Sequence, residues 1–198
     1  MQIDSLRFVK SSNPDGNADK QYNVLANEEQ FVRCDLTKRT IAKPIDIFNV
    51  NDGICRTLTP ERKILNTRWH LTSQDAGEAG EITLKGTDAW LARDTTQNEL
   101  FRVVDPRKWS EKTFETAMGS WPDSYALVVN GEGVGVIRRA LRPGEEEPKT
   151  RLQKLTGLFK DRDWVLELSE PAPMQSAYRM IASVLLLVEV TVSGARAG

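Results

Sequence analysis

The sequence predicts a mainly β fold (β+α), an antiparallel sheet closed into a barrel around one hydrophobic C-terminal helix. Three observations lead there. Most of the chain alternates apolar and polar residues in short runs broken by turn residues. One late segment, 174–192, has helical spacing yet is apolar on nearly all sides, so a helix surrounded by protein is the simple solution, with a buried strand the competing reading because Val184, Val188, Val190 and Val192 are β-branched. Closing the sheet around that helix also removes exposed strand edges.

Residues 5–9 alternate as a short first strand, and the polar Pro/Gly/Asn stretch 11–20 reads as a loop. Strands are predicted over 22–25 and 30–36. The run 45–50 ends at Asn51, Asp52 and Gly53, a tight turn that leads into 54–58, because Asp-Gly adopts positive φ easily. Alternation around Trp69 and Leu71 gives a strand at 67–72, and Ile82 and Leu84 share a face at 81–84. Runs 89–93 and 100–104 continue the pattern until Pro106. Ser110 is placed to cap a short helix over 110–118, with Glu111 near its positive end. Residues 124–129 and 134–138 flank the turn 130–133 and form the clearest hairpin. A charged loop is expected at 142–150. The strand 164–168 has Trp164, Leu166 and Leu168 on one face, and Pro171 and Pro173 read as a stop before the helix. In that helix Met174, Ala177, Tyr178, Ile181, Val184, Leu185 and Val188 fall at helical spacing.

A chain of 198 residues suits one domain, 1–198, with a core over about 22–192 and the helix over about 174–190. Such a length buries enough surface to fold without staples. The composition is that of a globular chain, 39% hydrophobic and 28% charged. With 27 basic and 28 acidic residues there is no overall field for nucleic acid, so a polyanion would need a local patch. The longest apolar run, 180–192, is interrupted by Ser183, Glu189 and Thr191 and is too short for a transmembrane span. The first ten residues carry Asp4, Arg7 and Lys10 and do not read as a signal peptide. The expected location is cytoplasmic, at most peripheral to a membrane.

Few residues have catalytic spacing. Cys34 and Cys55 lack metal-ligand spacing and read as buried free thiols. With His70 alone, a histidine metal site is excluded and the usual general base is scarce. No metal, cofactor or catalytic residue is therefore expected. Gly131, Gly133 and Gly135 imitate a nucleotide fingerprint, but a strand follows them, so they read as a hairpin. Glu145, Glu146 and Glu147 read as a solvated acidic loop. Glu189 sits on an apolar helix, so it must be paired, protonated or at an open end, the open end being the expectation. Trp69 and Trp164 are predicted core, whereas Trp109 and Trp121, near prolines, are candidate loop anchors, membrane-interface residues or a partner-binding patch.

Arg138, Arg139 and Arg142, followed by Lys149, Arg151 and Lys154, form the densest basic cluster. Arg102, Arg107 and Lys108 form a second. Arginine's planar fork matches phosphate oxygens. The candidate ligand-binding residues for an anionic headgroup are therefore Arg138, Arg139, Arg142, Lys149 and Arg151.

The strand, turn, strand pattern of 47–53 and 125–139, and the close of the chain in Asp163, the alternating run 164–168 and an apolar helix, carry a family resemblance. The chain resembles the LURP-one-related and phospholipid-scramblase group of the tubby C-terminal-like superfamily over roughly 22–192. The resemblance implies a twelve-stranded antiparallel barrel around a central C-terminal helix. Tubby relatives bind phosphoinositides and scramblases are calcium-linked. Here there is no proline-rich start, palmitoylation cluster or Asp-x-Asp-x-Asp-Gly spacing, so scrambling is not expected. The expected function is a non-enzymatic binding module for anionic phospholipid headgroups at a membrane surface. The alternative is a structural or protein–protein interaction protein without a small ligand.

Overall fold

Each alternating run pairs with the run before and after it, and the last returns to the first. A computed structural model of the chain describes residues 2–11, 19–36, 43–51, 53–62, 67–73, 77–85, 89–107, 124–140 and 163–192. The strands are β1 (Gln2–Lys10), β2 (Lys20–Ala26), β3 (Glu29–Leu36), β4 (Ile45–Asn49), β5 (Ile54–Arg62), β6 (Thr67–Ser73), β7 (Gly77–Lys85), β8 (Ala89–Arg93), β9 (Glu99–Val104), β10 (Ser124–Val129), β11 (Glu132–Arg139) and β12 (Trp164–Pro173). They form one closed antiparallel barrel in which β12 pairs with β1. The helix α1 (Met174–Leu186) follows β12 directly and continues as a π-helical segment, Leu187–Val192.

Period-two alternation sends Leu6, Phe8, Val24, Cys34, Ile47, Leu58, Trp69, Ile82, Val103, Leu127, Ile137 and Leu166 inward, all 3% exposed or less. These residues form one core cluster with Ala177, Ile181, Val184, Leu185 and Val188. Every residue from Met180 to Glu189 is buried, so the helix occupies the barrel's interior. Trp69 and Trp90 meet edge to face, 5.2 Å between ring centroids. No helix among the described residues is long and apolar enough to cross a membrane.

Short reversals close one end of the barrel. Asn130 and Gly131 both have positive φ (50° and 88°) between the paired residues Val129 and Glu132, the signature of a two-residue type I′ hairpin. The register then shifts between Leu127 and Val128, leaving Val134 as the extra residue of a bulge. Gly135 follows because a Cβ there would stand 2.7 Å from the Glu167 carbonyl oxygen on β12. Gly131 thus serves the turn and Gly135 a close strand approach, within the hairpin the sequence predicts.

Asn27 and Glu28 also reverse with positive φ (50° and 67°). The Asn27 side chain accepts from the backbone N–H groups of Asp4 and Ser5, at 2.8 and 3.2 Å, and donates to the Gln2 carbonyl at 3.1 Å. It thereby holds the irregular stretch of β1 between Ile3 and Ser5. At the 49–53 turn, Asn49 Oδ1 accepts from the N–H groups of Asn51 and Gly53. Asp52 lies outside the described residues, as do the expected helix over 110–118, most of the 11–20 loop and the 142–150 loop.

Two expected strand ends need correction. Pro171 and Pro173 do not stop the last strand at residue 168, because β12 runs to Pro173, which pairs with Gln2. The register between β1 and β12 jumps from Ala172 to Glu167, so the intervening residues bulge and need no ladder N–H. Pro173, at φ −69° and ψ 146°, then turns the chain straight into the helix. Likewise β5 continues past residue 58 through Pro60 to Arg62, with Pro60 opposite Trp69.

Candidate binding site at the barrel mouth

The end of the barrel at which β2, β10 and β12 begin is also where the helix ends. The residues nearest that rim are more polar than the core behind them. Phe8 on β1 pairs with both Trp164 and Val24, so the inner ladder continues from β12 across β1 to β2. Beyond Phe8 on this face stands Tyr22, opposite Lys10.

Tyr22 and Lys20 meet the end of the helix there. The Glu189 side chain is 3% exposed, and its Oε2 takes a hydrogen bond from Lys20 Nζ at 2.6 Å. Its Oε1 accepts from the Tyr22 hydroxyl at 2.8 Å. The carboxylate is thus paired, at the end of the barrel where the helix stops. A buried carboxylate is tolerated when a cation and a hydroxyl replace its water. The π-helical segment shifts the side-chain phase of the last turn, and π-turns are frequent at functional sites.

Across the mouth, β9 to β12 contribute a second polar group. Ala126 pairs with Val104, so Asp105, the next residue after β9, comes level with Tyr125. Arg107 clamps Asp105 with its Nε at 3.1 Å from each carboxylate oxygen and Nη2 at 2.7 Å from Oδ2. Its backbone N–H also donates to Oδ1 at 3.0 Å. Tyr125 pairs with Ile137, and two residues further along β11 on the same face is Arg139. Arg139 lies opposite Trp164 with its guanidinium 5.3 Å from the indole centroid. Trp164 also meets Tyr125, 6.5 Å between rings.

The Tyr125 hydroxyl is the exception in this network. The residue is 4% exposed, and its oxygen makes no hydrogen bond among the described residues. A buried hydroxyl left in this state costs about 1–3 kcal/mol. Burial first, and the Asp105 carboxylate second, push its phenol above the ordinary value, while Arg107 and Arg139 pull the other way. The group is therefore a neutral donor at physiological pH.

The structure separates the sequence-predicted site residues. Arg138 and Arg139 are adjacent, so the pleat sends them to opposite faces. Arg138 is on the outside, bidentate with Glu167 at 2.7 and 3.1 Å. Arg139 is at the inner rim over Trp164. Arg142, Lys149 and Arg151 lie outside the described residues, as do Lys154 and Lys108. In the second basic cluster, Arg102 pairs with Glu99 on the surface and Arg107 belongs to the mouth. Composition passed over Tyr125 and Asp105. The available signal was positional: both stand at strand ends that face inward.

Of the other chemical candidates, Cys34 is buried and Cys55 half-buried, both free, and burial pushes the Cys34 thiol far up and leaves it inert. His70 is half-exposed and pairs with Glu61 at 3.0 Å. Trp69 and Trp164 are core, 1% and 4% exposed; Trp109, Trp121 and the 145–147 glutamates fall outside the described residues. Among the described residues no three acidic, histidine or cysteine side chains cluster to hold a metal.

No family model, curated protein or solved structure matches the chain.

Proposed function

We propose that this protein is a non-enzymatic binding module that takes an anionic phospholipid headgroup at the barrel mouth, in the manner of the tubby-like and LURP-one-related group it resembles. The observation that carries this reading is Arg139 held over the Trp164 face at the inner rim, beside the unsatisfied Tyr125 hydroxyl. An aromatic platform fixes the guanidinium, whose planar fork matches phosphate oxygens. The helix supports a rim site rather than an enclosed one. It fills the barrel interior, so a ligand has to bind where the helix stops.

Flotation with neutral and anionic vesicles, at low and high salt, tests the reading. The expected result is selective flotation with anionic vesicles that weakens as salt rises, because screening shortens the reach of the charge. Arg139→Glu should abolish it. Arg138→Glu should change it little, since Glu167 already engages Arg138 on the outer face. An absence of flotation under every condition would overturn the lipid reading and favour a protein partner.

A further inference from the structure

We infer that Asn130 is a site of self-modification, at which the Gly131 backbone nitrogen attacks the Asn130 side-chain amide and converts it to aspartate and isoaspartate. The site is independent of the headgroup reading. Asn130 and Gly131 are the only asparagine–glycine pair in the sequence. The reaction needs a side-chain amide that is not held, a following backbone nitrogen that is not engaged, and room for the two to meet. Glycine gives the most room because it has no Cβ. The tip of the β10–β11 hairpin meets all three needs. Asn130, Gly131, Glu132 and Gly133 are exposed. Apart from its chain neighbours, no heavy atom lies within 4 Å of where a Cβ would stand at Gly131. Among the described residues the Asn130 side chain makes no hydrogen bond, and neither does the Gly131 N–H. Other turn asparagines are tied down. Asn27 engages backbone groups of Gln2, Asp4 and Ser5, Asn49 accepts from the N–H groups of Asn51 and Gly53, and Asn98 donates to Asp94 and Thr96. Each of these three is also followed by a residue with a side chain.

Water is the one co-reactant. The Gly131 nitrogen gives its proton to solvent and bonds to Asn130 Cγ, and the side-chain nitrogen leaves as ammonia, closing a five-membered succinimide. Water then opens the ring. Breaking the new bond at Cγ yields aspartate in a normal backbone. Breaking the original peptide bond instead leaves the chain running through the former side chain, which is isoaspartate. Nothing is oxidised or reduced. The fold makes the second product disruptive. Val129 pairs directly with Glu132, and Asn130 and Gly131 span the gap with φ of 50° and 88°. Isoaspartate adds a methylene to the backbone of this two-residue turn, which then no longer matches the strands it joins. Further along β11, Gly135 lies so close to the Glu167 carbonyl on β12 that a Cβ would stand 2.7 Å from it. A slip of β11 would carry a side chain into that contact, so the mismatch is relieved by fraying at the tip.

The test is incubation of the folded full chain at neutral and mildly alkaline pH, beside the same chain unfolded in urea. Peptide mapping by mass spectrometry reads the replacement of the amide nitrogen by oxygen, and enzymatic methylation of isoaspartyl residues reads the isomer. The expected result is that Asn130 of the folded chain converts about tenfold or more faster than Asn27, Asn49 and Asn98, since each anchoring hydrogen bond slows release of the amide several-fold. Conversion should quicken as pH rises, because the attacking nitrogen must lose its proton, and Asn130→Gln should remove the mass change from this peptide. Amide exchange at Glu132 should rise in the isoaspartate fraction but not in freshly prepared Asn130→Asp, where the backbone is unaltered. If the folded chain keeps the Asn130 amide while the unfolded chain loses it, the fold protects the pair and the inference is overturned. Conversion of the anchored asparagines at the same rate as Asn130 would overturn it too.

Discussion

At the scale of single residues, the loops of this barrel are held by side chains that replace missing ladder partners. Asp94 is the fullest case. Its Oδ1 accepts from the backbone N–H groups of Thr96 and Asn98, at 2.8 and 2.9 Å, and from the Thr96 hydroxyl at 2.8 Å. Those bonds, with the Thr96 hydroxyl first, hold its carboxyl below the ordinary value. A group whose folded pKa is lowered stabilises the fold above its unfolded value and loses that contribution as pH falls through the folded one. The 94–98 turn should therefore stay ordered at neutral pH and loosen under acid, below the usual carboxylate range. Amide hydrogen exchange at Thr96 and Asn98 checks this. Protection should fall in acid, and Asp94→Ala should show the loosened state already at pH 7. Unchanged exchange in Asp94→Ala would refute the role. Side-chain anchors of this kind are legible only as turn propensity in the sequence. Asp94 reads as a turn residue, but its geometry does not.

At the scale of elements, the sequence located all twelve strands and the helix but misplaced several of the strand ends. The pattern of two survives wherever one face is buried, so runs such as 89–93 and 124–129 coincide with β8 and β10. Proline misled the reading at β12, because its usual meaning is a missing ladder bond, and a bulge there removes that need. β7 starts at Gly77 rather than at residue 81, with a register shift between Leu71 and Thr72 on its neighbour. The partner of Glu189 was illegible for a different reason. Lys20 lies 169 residues away, and no local pattern encodes that pairing. The pair ties the helix end to β2, and removing one member strands the other in a poorly solvated place. Glu189→Ala should cost about 2–4 kcal/mol in denaturant unfolding, discounted from the fully buried case because Lys20 is one-third exposed. Glu189→Leu combined with Lys20→Met should recover most of the loss. Equal costs for the single and double variants would show that the pairing does not govern the end of the helix.

For the whole molecule, the helix is the core of the barrel and not an appendage. Its residues Ile181, Ala182 and Leu186 are 0% exposed and belong to the same cluster as the inner faces of the strands. Without it, each inward side chain would line a void too large for the strands to close. The chain ended after Pro173 should therefore lack a cooperative thermal transition, as followed by calorimetry. A sharp transition in that product would show that the strands can repack alone. The architecture was readable because a short helix apolar on all faces admits few solutions. The mouth was only half readable. Arg139 stood out by charge, and its separation from Arg138 follows from the pleat alone, but its place over Trp164 follows from register, which a single sequence does not print.

The β1–β12 seam has a consequence in time. The first and last strands are partners, with Phe8 opposite Trp164, so the contacts that seal the barrel join segments far apart in sequence. A ribosome adds about 5–20 residues per second, so β1 waits some seconds for its mate. Throughout that wait the growing meander presents two raw edges and an unfilled apolar face, since the helix that plugs it is made later still. Pairings of such long range also form slowly once the chain is complete. The nascent protein should thus be a demanding client of holding chaperones, and a ribosome stalled near residue 160 would leave it most prone to aggregate.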